Sequence, residues 1–241
     1  MAEELINDTE SLREEIEREY TKRFNDLNKL ENFLATSDAA EDFQSLYRKM
    51  LVVMLYAYYE GFCKKALEIY AEYINATHEC VKDLKAELAS STLRDEFKRL
   101  ENTNYHPVRI QGTALNEDNI LQRFGRRSEF FMAYEQNMQK VVSLPDSIID
   151  TDSNMKPHIL KSLLYRLSLD YTIVDSGQGT INKLVGLRNS IAHGDRSREI
   201  SEAEYNDCKS AVISVMNDLK QEIINKYRNK GYLKTVSVLH S

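Results

Sequence analysis

The amino-acid sequence predicts an all-α protein, a bundle of long helices. Three observations predict this class: glycine (8) and proline (3) are scarce among 241 residues, tyrosine (14) is abundant, and apolar residues recur every three or four positions. So few turn-forming residues favour long helices over a meander of short strands. The length is typical of one core with an insertion or an arm, so we expect a single helical domain over residues 1–241.

The first two helices are predicted to be long. Asn7 or Asp8 is positioned to cap a first amphipathic helix, and we expect residues 1–36 to form an N-terminal helical arm. A second helix is predicted from about 40 to 76, and its apolar residues cover more than one face, which is typical of the middle of a bundle. Gly61 lowers helix propensity there, so we interpret it as a point where another helix comes close.

Periodicity weakens between about residues 90 and 152, which we interpret as an inserted irregular segment. We expect it to hold a short helix near 93–100, an extended segment at 105–110 and a helical turn that ends at Gly125. Arginines and aromatics alternate there, and two interpretations stay open: a solvated charge run beside core aromatics, or a surface that holds single-stranded nucleic acid. The residues are Arg123, Phe124, Arg126, Arg127, Phe130 and Phe131.

Three further helices are predicted, over about 155–170, 180–193 and 201–228. The last of them opens with the patterns of an N-terminal capping box and a hydrophobic staple. These patterns are formed by Ser201 with Glu204 and by Ile200 with Tyr205.

Charge and cysteine content exclude several classes of protein. A formal net charge of -6 disfavours broad nucleic-acid binding, so any such site must be a local basic pocket. Three cysteines without a CxxC pair favour a reducing compartment over a disulfide framework or a zinc site. His78 and Cys80 lack two further ligands at usable spacing, so we expect no metal and no other cofactor.

The N terminus and the most apolar segment predict a cytoplasmic protein. Residues 1–13 are acidic and lack the basic and apolar regions of a secretion signal. Residues 50–59 amount to about half of the ~20 residues that span a bilayer, and charged residues follow them. We therefore expect a buried core helix there and no membrane partner.

One segment holds the residue types that cleavage of a phosphodiester requires. Residues 188–195, RNSIAHGD, place an arginine, an amide, a histidine and a carboxylate within two helical turns. Histidine can take up and return a proton near neutral pH, and the arginine fork fits phosphate oxygens. An ordinary helix end is the alternative, since Gly194 after the last apolar residue is a common C-terminal stop.

This segment, together with YEGF at 59–62, resembles the HEPN (higher eukaryote and prokaryote nucleotide-binding) domains, whose Arg-x4-His signature corresponds here to Arg188 and His193. The sequence is most similar to stand-alone prokaryotic HEPN proteins of the defence and toxin type, over about 42–76 and 153–229. The resemblance implies a four-helix up-and-down core, a homodimer that brings two signature helices together, and metal-independent endoribonuclease activity, which many members have.

Helical geometry agrees with a site shared between two subunits. Arg188 and His193 are five positions apart, so on one helix they point about 140° away from each other. They cannot simply form one flat site within a single chain. A twofold axis would let both histidines and both arginines border one cleft.

The resemblance leads to a hypothesis in which the 2'-hydroxyl of RNA attacks the adjacent phosphorus. His193 acts as general base or acid, Arg188 stabilises the transition state, and Asn189 orients the imidazole or a phosphate oxygen. Glu60 is expected to support His193, and a salt bridge from Glu60 to Arg188 is the alternative. Candidates to contact the substrate are Lys183, Arg196, Arg198 and Tyr59, with Asp195 and Tyr59 as further possible supports of His193.

Other functions stay open at this point. A ribonuclease of this kind is expected to belong to a toxin or defence system, restrained by a co-encoded antitoxin or another partner protein. A non-catalytic HEPN module would bind nucleotide or protein through the same cleft, since a fold can keep its geometry without turnover. The third alternative is a helical adaptor whose N-terminal arm pairs with another chain.

Overall fold

Helices make up most of the protein. The computed structural model describes residues 2–35, 41–110, 120–151, 154–194 and 198–234. The α-helices in these ranges are α1 Ala2–Ala35, α2 Glu41–Ala76, α3 Ala86–Thr92, α4 Arg94–Glu101, α5 Ile120–Met132, α6 Tyr134–Met138, α7 Pro157–Arg166, α8 Gln178–Ala192 and α9 Glu202–Arg228. Short 3-10 turns lie at Val81–Asp83, Val108–Ile110, Asp146–Ile148 and Tyr171–Val174. Within the described ranges, extended pairing is limited to isolated bridges, so the all-α prediction is confirmed.

Helix α2 lies in the middle of the bundle, packed against α1, α8 and α9. Its apolar side chains are buried on several sides, as the pattern predicts, and each one buried in full stabilises the fold by roughly 1.5–3 kcal/mol. Residues at most 2% exposed include Leu51, Val52, Leu55, Tyr56, Tyr59, Phe62, Cys63, Leu67 and Tyr70. This helix is the scaffold on which the signature helix α8 rests.

Helix α1 is part of the bundle and does not protrude as an arm. Leu12 and Ile16 are fully buried, so its apolar stripe is covered by the chain itself. On its polar side, Glu31 accepts hydrogen bonds from the Tyr205 hydroxyl and the Lys209 ammonium of α9, each at 2.6 Å. A stripe that is already buried is not available to pair with another chain, which disfavours the adaptor function.

The predicted start of α1 is wrong. The helix begins at Ala2 and runs through Asn7 and Asp8, so neither residue caps it. Leu5 packs against the core one turn before the predicted cap, and this contact extends the helix toward the N terminus.

Gly61 lies beside the Arg23 side chain of α1 and not against a helix backbone. A Cβ added at Gly61 would lie 3.4 Å from Nε of Arg23 on α1. Nη2 of Arg23 donates a hydrogen bond to the Gly61 carbonyl at 3.2 Å. A Cβ at this position would make only ordinary van der Waals contact with the guanidinium, so the bond to the carbonyl does not depend on glycine.

The segment from about 90 to 152 contains the short helix predicted near 93–100, which is α4, and in its described part it also holds helices α5 and α6. Helix α5 continues through Gly125, where the prediction ends it. A Cβ at Gly125 would lie 2.4 Å from Cδ1 of Ile110 and 2.7 Å from Cγ of Pro107. Glycine is therefore used for close packing against the preceding turn. The predicted extended segment at 105–110 instead ends in a 3-10 turn.

The C-terminal helices follow the prediction closely. Oγ of Ser201 accepts a hydrogen bond from the Glu204 backbone N–H at 3.1 Å, so Ser201 is the N-cap of α9. Ile200 and Tyr205 are both buried, as a hydrophobic staple requires. The Ser201 half of the predicted capping box and the staple are confirmed, whereas the Glu204 carboxylate pairs with Lys183 and Arg198.

Two general features of the described ranges bear on binding. They contain no cluster of three or more His, Cys, Asp or Glu residues arranged to hold a metal ion. Nor does any helix in them combine the length and the apolar character that crossing a bilayer requires.

Candidate active site

Helix α8 presents the signature at its C-terminal end. Its buried face is formed by Ile181, Leu184, Val185 and Leu187. The helix ends at Ala192, and the His193 backbone N–H donates to the Asn189 carbonyl at 2.9 Å. Gly194 has φ of +82°, a left-handed conformation that favours glycine, so its role as a helix stop is confirmed. This stop leaves the His193 side chain exposed.

The Arg188 side chain is held in place by three other residues. Its guanidinium carbon lies 4.9 Å from the centre of the Tyr56 ring on α2. Nη1 donates to Oδ1 of Asn189 at 2.8 Å and to Oδ1 of Asn154 at 3.4 Å. A cation over an aromatic face is stabilised by roughly 0.5–2 kcal/mol. The half-buried guanidinium is therefore oriented before any ligand arrives.

Tyr56 connects Arg188 to Glu60. Its hydroxyl accepts a hydrogen bond from the Met155 backbone N–H at 2.8 Å, and the Glu60 carboxylate lies close enough to influence its pKa. Burial raises the pKa of Tyr56 to about 12, and the neighbouring Glu60 charge acts in the same direction. The hydroxyl is therefore protonated at neutral pH.

Glu60 does not bond directly to His193 or Arg188 in the described residues, although the sequence predicted one of these contacts. In the described part of the chain, Glu60 has neither an ion pair within 4 Å to Arg188 nor a hydrogen bond to His193. Its link to Arg188 is indirect, because Glu60 neighbours Tyr56 and the Tyr56 ring lies against the Arg188 guanidinium. Sequence reasoning missed Tyr56, although a spacing of i, i+4 places it on the same face of α2 as Glu60.

Tyr59 is placed where it cannot meet a substrate. It is 0% exposed, and its hydroxyl lies among core residues without a hydrogen-bond partner. Burial raises the pKa of this hydroxyl well above its usual value. This burial disfavours the predicted contact of Tyr59 with substrate, and the adjacent Glu60 is the more exposed of the two residues.

Lys183 and Arg198, both predicted to attract phosphate, share one carboxylate. Oε1 of Glu204 lies 3.0 Å from Nζ of Lys183 and 2.8 Å from Nη2 of Arg198. Burial acts to raise the pKa of Glu204, but the two cations outweigh it and the pKa is lowered. The sequence predicted Glu204 only as part of a cap, so its effect on the local charge was missed. Arg196 and Asp195 lie outside the described residues.

The fold and the site together define a HEPN domain: an all-α bundle with the Arg-x4-His signature at the end of a helix that packs on the bundle centre. In a comparison with protein families, the model described as RiboL-PSP-HEPN matches residues 18–225. The chain therefore belongs to the HEPN family, and the match includes the segment between α2 and α7. Comparisons with curated proteins and with solved structures give no match.

Proposed function

We propose that the protein is a metal-independent endoribonuclease of the HEPN type that acts on cytoplasmic RNA. The observation that carries the proposal is the orientation of Arg188 by Tyr56 and Asn189, close in sequence to an exposed His193. Asn189 links the two, since its side chain accepts from Arg188 and its carbonyl accepts from the His193 backbone. A fixed cation and an accessible imidazole at the end of the same helix support acid–base chemistry at a phosphate in a cleft that two subunits complete.

The reaction is an intramolecular transesterification. His193 removes the proton from a 2'-hydroxyl, the 2'-oxygen bonds to the adjacent phosphorus, and the bond from phosphorus to the 5'-oxygen breaks. A protonated histidine supplies the proton that the leaving 5'-oxygen needs, and we assign this role to the second copy of His193 in a homodimer. Arg188 stabilises the charge that develops on the phosphorane-like transition state, a role often worth several kcal/mol.

We place the dimer contact on the exposed apolar face of α2. Phe43, Leu46 and Met50 follow helical spacing and are 46%, 57% and 56% exposed. Nε of Arg48 donates to the Ile200 carbonyl, and Tyr56 packs on Arg188, so this part of α2 runs beside the end of α8. A twofold contact through this face would bring two signature ends together.

The test is cleavage of total RNA in EDTA by the purified protein and by His193→Ala. The matched control is His158→Ala, which removes another exposed histidine. Cleavage by the wild type and by the control, leaving 2',3'-cyclic phosphates, is the expected result. Retention of the same cleavage by His193→Ala would overturn the proposal. Leu46→Glu should abolish both dimer formation in analytical ultracentrifugation and cleavage.

A non-catalytic binding module is the second candidate. It is favoured by Glu204, which neutralises part of the charge of Lys183 and Arg198, and by the absence of a hydrogen bond to the His193 ring among the described residues. A dimer that binds RNA but yields no cyclic phosphate ends would establish this function. Restraint by an antitoxin or a defence partner stays a prediction.

A further inference from the structure

Helix α5 presents an exposed apolar and cationic face. Ile120, Phe124, Arg127 and Phe131 share one side of this helix by their spacing. The three apolar members are 71%, 58% and 73% exposed, and Arg127 is exposed as well. Large aromatic side chains at this exposure do not gain the free energy of burial. An exposed apolar face of this kind is typical of a binding surface.

The opposite side of α5 packs against the rest of the protein. Arg126 is 4% exposed, and its Nε donates to the Leu100 carbonyl at 3.0 Å. Glu129 accepts hydrogen bonds from the Tyr105 hydroxyl at 3.1 Å and from the Val108 backbone N–H at 2.5 Å. The buried arginine and the acidic residue of α5 are therefore both turned inward.

The charge of the outward face is consequently positive. The guanidinium carbon of Arg127 lies 5.6 Å from the centre of the Phe124 ring. No carboxylate of the described residues lies within 4 Å of Arg127. An arginine that stacks on an exposed ring and keeps its charge fits a polyanion with flat, stackable groups.

The sequence left two interpretations of this segment open, and the structure separates them. Phe130 is half-buried against Phe97, with ring centres 5.8 Å apart, as a core aromatic would be. Phe124 and Phe131 are not part of the core at all. The interpretation as a solvated charge run beside core aromatics therefore fits Phe130, but it does not fit the outward face.

We propose that this α5 face binds single-stranded RNA, with bases stacked on Phe124 and Phe131 and a phosphate held by Arg127. The inference rests on the proposed function in one respect, namely that the bound strand is the substrate. The two phenylalanines are seven residues apart, about 10 Å along the helix axis, so they engage different nucleotides of one strand. Stacking tolerates any base, so the face supplies affinity and not sequence specificity.

The experiment measures binding of a fluorescently labelled, unstructured oligouridine by anisotropy. All proteins carry His193→Ala, so that the RNA stays intact. Phe124→Ala and Phe131→Ala should each weaken binding about tenfold, and Arg127→Gln should lower the salt dependence. Tyr171→Ala and Arg228→Gln, which remove an exposed aromatic and an exposed cation elsewhere, are the matched controls and should bind as the parent does.

Several outcomes would overturn the inference. Equal binding by the α5 variants and the controls would do so, and so would an equal loss of affinity for duplex RNA, because paired bases cannot stack on the rings. Dissociation of the dimer by Phe124→Ala with unchanged RNA affinity would show a protein interface instead. The binding test is independent of catalysis: a tenfold loss in the α5 variants of a protein whose wild type cleaves nothing would uphold RNA binding by this face, while overturning the proposed nuclease and the role of the bound strand as its substrate.

Discussion

The Arg188 guanidinium lies over the ring of Tyr56, at 4.9 Å from the ring centre, while the Glu60 charge acts on the hydroxyl of the same tyrosine. Tyr56 is 1% exposed and is fixed further by the Met155 backbone N–H. The position of the signature arginine is therefore determined by a core residue on α2. Because the ring of this tyrosine orients Arg188 and its hydroxyl anchors Met155, the two groups can be tested separately.

We expect Tyr56→Phe to lower the free energy of unfolding by about 1–3 kcal/mol, because the buried Met155 N–H loses its acceptor. The ring under Arg188 remains, so RNA cleavage should stay within a few-fold of wild type. Tyr56→Leu removes the ring and should reduce kcat/KM about tenfold or more. Urea denaturation and cleavage kinetics check both, with Tyr171→Phe as the control. Equal activity of the Phe and Leu variants would show that the ring does not orient Arg188.

Glu204→Gln should strengthen RNA binding, because it releases Lys183 and Arg198 from a shared carboxylate. The cap of α9 should persist, since Ser201 bonds to the backbone of residue 204 and not to its side chain. Each additional phosphate that the released cations neutralise should steepen the slope of log K against log salt by about 0.7 for a single strand.

The measurement for Glu204→Gln is a salt titration of RNA binding in the His193→Ala background. Glu202→Gln removes an exposed charge from the same helical turn and is the matched control. If both variants bind RNA with the same increase, the effect comes from net charge alone and the assigned ion pairs are not its cause.

Buried tyrosines predict a loss of stability at alkaline pH. Burial raises the pKa of Tyr56, Tyr227 and Tyr232 from 10.0 to about 12. A group whose pKa is higher in the folded state binds its proton more tightly there, so its contribution is complete below pH 10 and is lost as pH rises through about 12. The Tm should therefore fall between these limits, and tyrosinate absorbance should rise together with unfolding. A rise in absorbance well before unfolding would contradict the assigned burial.

Features that depend on neighbouring residues in sequence could be predicted. The N-cap at Ser201, the staple of Ile200 with Tyr205 and the stop at Gly194 each need only a few adjacent positions, and all three are confirmed. The central position of α2 also followed from its apolar pattern, since a helix buried on several sides lacks a polar face.

Features that depend on contacts between distant segments could not be predicted. The spacing of Glu204 from Ser201 predicted only a role in the helix cap. Its carboxylate nevertheless pairs with Lys183 on the neighbouring helix α8. Tyr59 is the first residue of the family-like YEGF segment, but the orientation of α2 buries it in the core and turns Tyr56 toward Arg188. Glycine is typical of helix ends, so the sequence predicted that a helix ends at Gly125. Only the close packing of Pro107 against this position shows why a glycine lies inside the helix.

The different roles of two helical glycines can be tested with the same substitution. Gly186→Ala in α8 should raise the free energy of unfolding by up to about 1 kcal/mol, because a Cβ there meets no atom within 4 Å and alanine favours the helix. Gly125→Ala in α5 should lower it by about 1–3 kcal/mol, because its Cβ would clash with Ile110 and with the rigid Pro107 ring. Denaturation measures both, and hydrogen exchange should place the Gly125→Ala loss in α4, α5 and α6. A Gly125→Ala protein as stable as Gly186→Ala would show that α5 does not pack against this turn.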